Sequence, residues 1–516
     1  MPQHTKQEDT KQKVAAVFAM GTFYRVPKGG AVGCIYVTAG KALDVPSPEY
    51  TAAVAQVCGL APWSRLTKKV ADAAAAVAYT VAPTTQIEML SAGTHGGPFA
   101  VNLGGGNLTV CKDGQWWCVP NGSHGVVFKE ERFFEPLDVQ AVQASIAKPD
   151  AHRFPKLREV FLDRMPPPKG LLTRTEQAAL MLGLWIGIFI GCLTKNRPIY
   201  LLKGEQEIGK TVVQRVLAKL FFGRKGEVTG GTSAARTMKD VAAAATDLSV
   251  IIRDDLNDLP TDSFDALCRI ATGTRFDVAG FFQTLGLESF DPRGMVFLSA
   301  IWLPWLPKRP DLMSRIVLLE LGAPPKSERT PEDWYEEVLA VRPEVWGETL
   351  AALAALNDAP PIRERITRFD AWERAVCAVL ERAGLRQDFE SALAKMRGEV
   401  MRIALEQSPL MEALLRFAYE RGQKPATVAE IADGVGSVLG ALQGGAESHN
   451  ARLVVGSPQS LAQFLTRIRD EGSPFVDVRS AGGHDHKARW TLVPKVPLPG
   501  ASTVQAPPSV PVEPTR

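Results

Sequence analysis

The fold of this chain is indicated most clearly by residues 198–222, PIYLLKGEQEIGKTVVQRVLAKLFF. Its first part, IYLL, is a short apolar run that predicts a buried strand, and its last part, VVQRVLAKLFF, has the apolar spacing of an amphipathic helix. Between them, Gly204 to Thr211 fit the pattern GxxxxGK[ST], in which glycines let backbone N–H groups surround phosphate oxygens. The order of strand, glycine loop and helix predicts a P-loop, because the helix places its positive dipole end beside the phosphates.

The predicted loop contacts ATP through eight residues: Gly204, Glu205, Gln206, Glu207, Ile208, Gly209, Lys210 and Thr211. Lys210 is expected to reach the β- and γ-phosphates, and Thr211 is expected to ligate Mg²⁺. The alternative interpretation is a glycine turn between a strand and a helix, followed by a lysine on the surface.

A second buried strand, Leu248 to Asp255 (LSVIIRDD), ends in two carboxylates. Asp254 is the predicted residue of the magnesium shell, opposite Thr211. For Asp255 two roles stay open, since it could polarise the attacking water or cap the loop that follows.

Two further residues follow from later strands. The apolar run Met295 to Ala300 (MVFLSA) predicts a strand whose end places Ser299 near the γ-phosphate. Arg315 ends the segment RPDLMSR, just before the strand IVLLEL. It could contact ATP bound by a neighbouring subunit as an arginine finger, or it could form a surface salt bridge.

Composition narrows the class of protein. With 516 residues, 45% of them hydrophobic, the chain can form several domains with large cores. A net charge of +3 does not by itself indicate nucleic acid binding. The seven cysteines lack the paired spacing of a zinc site and fit a reducing compartment, and the polar N-terminus has no signal-peptide pattern. We therefore expect a protein of the bacterial cytoplasm.

One apolar stretch, Ala178 to Leu193, has two interpretations. It approaches the length of a membrane span, but a helix buried beneath a sheet has the same composition. The polar residues Thr194 to Arg197 lead from it directly into the strand before the phosphate loop. A buried helix is therefore the prediction, with no association with a membrane.

The predicted fold class is α/β, with a P-loop ATPase core, an N-terminal α+β module and a C-terminal region of helices and a winged helix. An Ala-rich helix around Lys68 to Tyr79 and glycine-rich hairpins indicate the α+β module. The predicted organisation is a disordered leader (1–17), the α+β module (18–150), the ATPase core (166–325), a helical lid or bundle (330–406), a winged-helix-like domain (409–495) and a disordered Pro-rich tail (496–516).

Three segments together carry a resemblance to a known family. They are GEQEIGKT, DDLNDLPTDSFDALCRIATG and RPDLMSRIVLLEL, in this order. They resemble AAA+ ATPases akin to superfamily-3 helicases, which phages, prophages and other mobile elements encode as primase-helicase proteins. The β-rich segment before the core and the C-terminal region resemble further modules of the same family.

The resemblance implies functional roles for six positions: Gly204, Gly209, Lys210, Thr211, Asp254 and Arg315. Other positions depart from the family pattern. Glu207 and Ile208 stand where small residues are usual, and Asp255 and Ser299 stand where asparagine is common.

In that family a hairpin lines the central pore and contacts DNA, and it lies between the strand that ends in the two carboxylates and the strand that carries Ser299 here. The corresponding region here is diverged, with Ala279 and FFQTLG replacing the family's Arg and acidic turn, and its candidates for DNA contact are Arg275, Phe281 and Phe282. These aromatic residues could instead belong to a core.

The C-terminal module offers a second set of candidates for phosphate contact: Arg467, Arg469, Lys487 and Arg489. A winged helix that binds a protein is the alternative. His484 and His486 lie nearby without cysteine partners and predict a solvated loop rather than a metal site.

The function predicted from the sequence is that of an ATP- and Mg²⁺-dependent DNA helicase or replication-initiation ATPase of a phage or other mobile element. It is expected to form a homo-oligomer, a hexameric ring, on single-stranded or forked DNA, in company with other replication proteins. No primase signature is visible. Two alternatives stay open: a non-translocating DNA-bound ATPase switch or helicase loader, and a P-loop kinase for a small molecule.

Overall fold

The structure is a computed structural model. It describes residues 2–28, 31–84, 87–88, 90–93, 98–123, 126–131, 133–226, 229–230, 245, 248–254, 261–279, 287–290, 292, 294–301, 303, 310–324, 330–358, 368–406, 409–422, 424–441, 455, 457–471, 476–481 and 489–495.

The helices of eight or more residues, together with two short ones, are numbered in chain order. They are α1 (Pro2–Met20), α2 (Pro48–Cys58), α3 (Arg65–Val81), α4 (Val139–Ile146), α5 (Pro155–Val160), α6 (Arg174–Phe189), α7 (Lys210–Phe222), α8 (Thr261–Ala271), α9 (Pro310–Met313), α10 (Pro331–Ala340), α11 (Arg342–Leu353), α12 (Asp370–Ala383), α13 (Arg386–Glu406), α14 (Pro409–Arg421), α15 (Val428–Ala441) and α16 (Pro458–Glu471).

The strands are numbered in the same way. They are β1 (Gly21–Lys28), β2 (Ala31–Thr38), β3 (Lys41–Val45), β4 (Ile87–Glu88), β5 (Ser91–Gly93), β6 (Phe99–Gly104), β7 (Asn107–Lys112), β8 (Gln115–Pro120), β9 (Val127–Phe128), β10 (Ile199–Lys203), β11 (Thr229–Gly230), β12 (Val250–Asp254), β13 (Phe276–Ala279), β14 (Leu287–Phe290), β15 (Met295–Ala300), β16 (Ile316–Glu320), β17 (Ala426–Thr427), β18 (Val476–Ala481) and β19 (Arg489–Pro494).

The chain divides into two compact units. The first comprises Met1–Trp302 and Ser314–Met396, and the second comprises Leu303–Met313 and Arg397–Arg516.

The N-terminal part of the first unit contains two antiparallel sheets. One has the order β1-β2-β3, and helices α1, α2 and α3 pack on it. The other has the order β5-β6-β7-β8 and contains the glycine-rich hairpins expected from the sequence. The predicted Ala-rich helix is α3, which begins before Lys68 because the Ser64 side chain accepts the backbone N–H of Thr67 as a helix cap.

The prediction of a disordered leader over residues 1–17 is wrong. Residues Pro2–Met20 form helix α1, and Val17 is fully buried while Val14 and Phe18 pack against the same core. These three residues are spaced three and four apart, so they lie on one face of the helix. The Tyr36 hydroxyl also donates a hydrogen bond to the Val17 carbonyl, with an O···O distance of 2.8 Å. Only the second half of this helix carries the apolar pattern, which explains why the sequence did not reveal it.

The central sheet of the first unit has five parallel strands in the order β11-β12-β15-β10-β16. The residues of β10, β12 and β15 are almost all buried, as expected for strands covered on both faces. The prediction of an α/β fold with a largely parallel sheet is confirmed. Because all five strands run in one direction, the loops that follow β10, β12 and β15 leave the same edge of the sheet.

Helix α6 is buried on every side from Glu176 to Phe189, so its uniform apolar character reflects burial in protein. The prediction of a buried helix is confirmed. Among the residues that the structure describes, no helix is both long and apolar enough to cross a bilayer. Aromatic rings from α6, α7, α11 and the preceding module pack edge to face near its end; they are Trp185, Phe189, Phe221, Trp346 and Phe134.

The second unit contains the helices and the hairpin expected in the C-terminal region. Helices α14, α15 and α16 are followed by the antiparallel pair of β18 and β19, and β17 adds to β19 to give a three-stranded sheet. Its core includes Leu414, Ile431, Leu465 and Trp490. The Pro-rich tail predicted to be disordered lies outside the described residues.

Candidate functional site

The glycine loop connects β10 to α7, as the sequence predicted. β10 ends at Lys203, the loop runs from Gly204 to Gly209, and α7 begins at Lys210. Gly209 has a φ of +91° and Glu207 a φ of +65°. Both values lie in the left-handed region, which is accessible to glycine but costs an L-residue such as glutamate roughly 1–2 kcal/mol.

The Lys210 side chain lies folded into the loop. Its ammonium donates hydrogen bonds to the carbonyls of Gly204 and Glu205, at N···O distances of 2.7 and 2.6 Å, and the residue is only 7% exposed. A buried ammonium needs such acceptors. These contacts hold the cation in the concave side of the loop.

A cluster of three polar side chains lies directly beside this loop. The hydroxyl of Thr211 donates to Asp254 Oδ2, and the hydroxyl of Ser299 donates to Asp254 Oδ1. Asp254 ends β12 and Ser299 lies next to the end of β15, and these two strands are parallel neighbours. The register of the sheet therefore brings together residues that are far apart in the sequence.

The cluster offers only oxygen ligands, which are the ligands that Mg²⁺ prefers. In nucleotide sites Mg²⁺ takes one or two protein groups, and phosphates and water supply its other ligands. Thr211 and Asp254 fit this pattern, because they are in contact and Asp254 is only partly buried. They would hold the ion, and the ion would neutralise phosphate charge.

Two residues that the sequence analysis missed help to fix this arrangement. Gln214, fully buried on α7, donates a hydrogen bond from Nε2 to the Arg253 carbonyl at 2.8 Å and so ties the helix to β12. Lys203 forms a buried ion pair with Glu320, Nζ to Oε1 2.8 Å, across the ends of β10 and β16. A polar residue on the apolar face of a helix was the only sequence signal for Gln214.

The Pro-rich segment at 166–168 borders the loop. The Pro166 carbonyl accepts a hydrogen bond from Gln177 Nε2 at 2.9 Å, and the Pro167 carbonyl accepts the backbone N–H of Gly322 at 2.7 Å. A Cβ atom at Gly209 would lie 3.4 Å from the Pro166 ring. This segment therefore restricts the loop as well as marking a boundary in the sequence.

The carboxylate of Glu131 lies at the opposite end of β12 and accepts hydrogen bonds from Ser249, including one from its backbone N–H. Burial raises the pKa of Glu131 to about 7, although the hydrogen bonds from Ser249 act in the other direction. A residue of the N-terminal module thus anchors the strand that carries Asp254.

Arg315 lies away from the loop of its own chain. It directly precedes β16, and its carbonyl accepts the backbone N–H of Ile199 at the start of β10. Lys203, at the other end of β10, is four residues further along than Ile199, so the two ends of this strand are about 13 Å apart. The structure therefore does not bring Arg315 together with Lys210, Asp254 and Ser299.

The predicted DNA contacts in the hairpin region are only partly described. Strands β13 and β14 form an antiparallel pair, and Arg275 is exposed immediately before β13. Phe281 and Phe282 lie outside the described residues, as does Asp255 beyond the end of β12.

In the second unit, Arg469 on α16 and Arg489 on β19 are both exposed. The Arg469 guanidinium lies 5.8 Å from the centre of the Trp490 ring, so a cation–π contact fixes its position. Arg467 belongs to the same helix, but its side chain lies outside the described residues, and so does Lys487.

Three solved structures of the C-terminal region of NrS-1 resemble the chain at 9–11% identity, over 93–94% of this chain and 98–100% of theirs. Their TM-scores of 0.37–0.39 are too low to bear on the fold. A search of curated proteins found no match to this chain.

A family model matches part of the chain. Residues 171–398 match the model named actinomycete integrative conjugative element replication protein. This range contains the glycine loop, Asp254, Ser299 and Arg315. The match supports DNA replication in a mobile genetic element as the process in which this chain acts.

Proposed function

We propose that the chain is an ATP-dependent DNA helicase or replication-initiation ATPase of a mobile genetic element, with ATP hydrolysed at the interfaces of a ring of subunits. The observation that carries this proposal is the contact of Thr211 and Ser299 with Asp254 beside the buried Lys210. A hydroxyl at the start of a helix, a carboxylate at the end of a parallel strand and a lysine folded into a glycine loop are the parts that bind a triphosphate with its metal.

The residues of the site have distinct roles in this proposal. Lys210 exchanges the carbonyls of Gly204 and Glu205 for phosphate oxygens, so it stays paired throughout. Thr211 and Asp254 hold Mg²⁺, which would neutralise the phosphate charge when bound. Ser299 orients the carboxylate of Asp254 by donating a hydrogen bond to it. Asp255 is the candidate that polarises the attacking water.

Arg315 completes the site in this proposal from the neighbouring subunit. Its backbone lies about 13 Å from the loop of its own chain, which supports a role at a site on another copy. An arginine that stabilises the transition state in this way contributes about 10³- to 10⁵-fold in rate.

Subunit mixing tests the shared site. The Lys210→Ala and Arg315→Ala proteins are each expected to be inactive, and an equal mixture should regain activity at about a quarter of its interfaces, where an intact loop meets an intact arginine. A mixture as inactive as its components would contradict the shared site.

Strand separation tests the proposed helicase activity, in which ATP hydrolysis drives movement along DNA. With ATP and Mg²⁺, the protein is expected to separate a forked DNA duplex, and Lys210→Ala protein should not. A protein that hydrolyses ATP in the presence of DNA without separating the strands would contradict translocation.

ATP hydrolysis without strand separation is the result expected for the alternative function, a non-translocating ATPase switch or helicase loader. Two observations favour it. Glu207 brings a carboxylate into the glycine loop, where its charge would oppose phosphate, and Ser299 stands where the resembled family commonly has asparagine. Both departures favour a slow ATPase over a fast motor.

A further inference from the structure

One tryptophan stands almost fully in solvent. Trp63 lies in the turn that joins α2 to α3 and is 88% exposed, more than any other large hydrophobic residue in the described part of the chain. Tryptophan is highly buried on average in folded proteins, because its ring carries a large apolar area. An exposed ring of this size is available to a partner.

The turn that carries Trp63 is held in place by hydrogen bonds. The Ala61 carbonyl accepts the backbone N–H of Ser64 at 3.0 Å and the Thr67 hydroxyl at 2.7 Å, which closes a β-turn. Pro62, inside the turn, fixes its own φ. The ring is therefore presented on a rigid support, and little conformational entropy is lost when a ligand contacts it.

The helix that follows adds positive charge beside the ring. Arg65, Lys68 and Lys69 are exposed in the first two turns of α3, and none of them makes an ion pair with another residue that the structure describes. The first acidic residue of the helix is Asp72, at the start of its third turn. Residues three or four apart on a helix are neighbours, so the three cations form one patch.

We propose that Trp63, Arg65, Lys68 and Lys69 form a binding site for single-stranded DNA. An exposed aromatic ring stacks on an unpaired base of any identity, and adjacent cations contact the phosphates on either side. The composition argues against a protein partner, because lysine is depleted in protein interfaces whereas it is common at phosphate contacts. The inference rests on the proposed function in one respect, that single-stranded DNA is the substrate.

Fluorescence anisotropy with a labelled oligothymidylate, without nucleotide and at several salt concentrations, tests the site. Trp63→Ala is expected to weaken binding by about 5- to 100-fold and Trp63→Phe to restore much of the loss, because stacking needs only an aromatic face. In the triple variant Arg65→Gln, Lys68→Gln, Lys69→Gln, the slope of log K against the logarithm of the salt concentration should become smaller in magnitude by about 2. Each phosphate contact contributes about 0.7 to this slope for single strands. The matched controls are Trp117→Ala, at a ring that is 44% exposed on β8, and Lys112→Gln, and both should bind like the unaltered protein.

Three outcomes would overturn the proposal. They are unchanged affinity and salt dependence in the variants, tighter binding to the matching RNA than to DNA, and loss of oligomers in Trp63→Ala with DNA affinity intact, which would assign the surface to contact between copies. Lys210→Ala protein serves as a separate arm: it should bind the oligonucleotide normally while losing ATP hydrolysis. Failure of the ATPase proposal is therefore distinguishable from failure of this one.

Discussion

At the scale of single residues, the loop departs from the pattern of small residues at Glu207. This residue has a left-handed backbone conformation and brings a carboxylate into the loop that is proposed to bind phosphate. The sequence revealed the unusual residue, but its positive φ is a property of the fold. Strain and charge act together here, and substitutions can separate them.

Glu207→Gly is expected to tighten Mg·ATP binding because it removes the negative charge, and to raise the free energy of unfolding because it relieves a strain that is present without ATP. Glu207→Gln removes the charge and keeps the strain, so it should tighten ATP binding similarly without the gain in stability. Isothermal titration calorimetry measures the affinities. Equal or weaker ATP binding by both variants would show that this carboxylate does not oppose the phosphates.

Glu131 is the residue whose protonation should affect stability. Its pKa is raised to about 7 in the folded protein, from the ordinary value of 4.5. The folded state therefore binds more protons than the unfolded state between these values, and its stability should fall as pH rises from about 4.5 to about 7. The loss attributable to this residue is at most about 3 kcal/mol.

Glu131→Gln keeps an acceptor for the Ser249 N–H and cannot ionise. It should match the unaltered protein near pH 4.5 and exceed it in free energy of unfolding at pH 8, as measured by urea denaturation. Glu348, whose pKa burial also raises to about 7, titrates in both proteins and so cancels from the difference. A difference that stays constant across this pH range would be inconsistent with the raised pKa.

At the scale of elements, the sequence predicted the parts with a strong local pattern. The strand Met295–Ala300 has the predicted bounds, and the strand, loop and helix around Lys210 agree to within two residues. Local patterns fail where a contact joins distant segments. The hydrogen bond of Glu131 to Ser249 and the position of Arg342 depend on how elements pack, which no spacing in the sequence encodes.

Arg342 shows how packing supports helix α7, which follows the glycine loop. From the start of α11, its guanidinium donates to the carbonyls of Leu220 and Phe221 at the C-terminal end of α7, at 3.2 and 2.8 Å. It also donates to the Glu135 carbonyl at 2.9 Å. The carbonyls of Leu220 and Phe221 lie in the last turn of α7, so no further turn of the helix donates to them. A cation at this position also interacts favourably with the negative end of the helix dipole.

Arg342→Ala should lower the free energy of unfolding by about 3 kcal/mol, because it removes the guanidinium donor to the buried carbonyl of Phe221 and one of the two donors to Leu220, which keeps only Trp346 Nε1. Arg224→Ala is the matched control, since that arginine pairs with Glu336 in solvent, with both side chains more than 60% exposed. The control should cost much less than Arg342→Ala, because exposed ion pairs contribute little to stability. Equal losses in urea denaturation would show that Arg342 does not support α7.

At the scale of the whole molecule, the candidate site depends on three parallel strands whose carboxyl ends meet at one edge of the central sheet. The ends of β10, β12 and β15 deliver Lys210, Asp254 and Ser299 to one place, while Arg315 lies at the other edge. The separation fits the proposed role of Arg315 at a site on another copy. It arises because the strands are parallel and Arg315 precedes its strand, whereas the other three residues lie near the ends of theirs.

The affinity for ATP, measured by isothermal titration calorimetry with and without Mg²⁺, tests phosphate binding by the glycine loop most directly. The unaltered protein should bind Mg·ATP, Lys210→Ala should lose at least about 10-fold in affinity, and Asp254→Asn should lose most of the dependence on Mg²⁺. Equal affinity of the unaltered and Lys210→Ala proteins for Mg·ATP would contradict the assignment of this loop to phosphate binding.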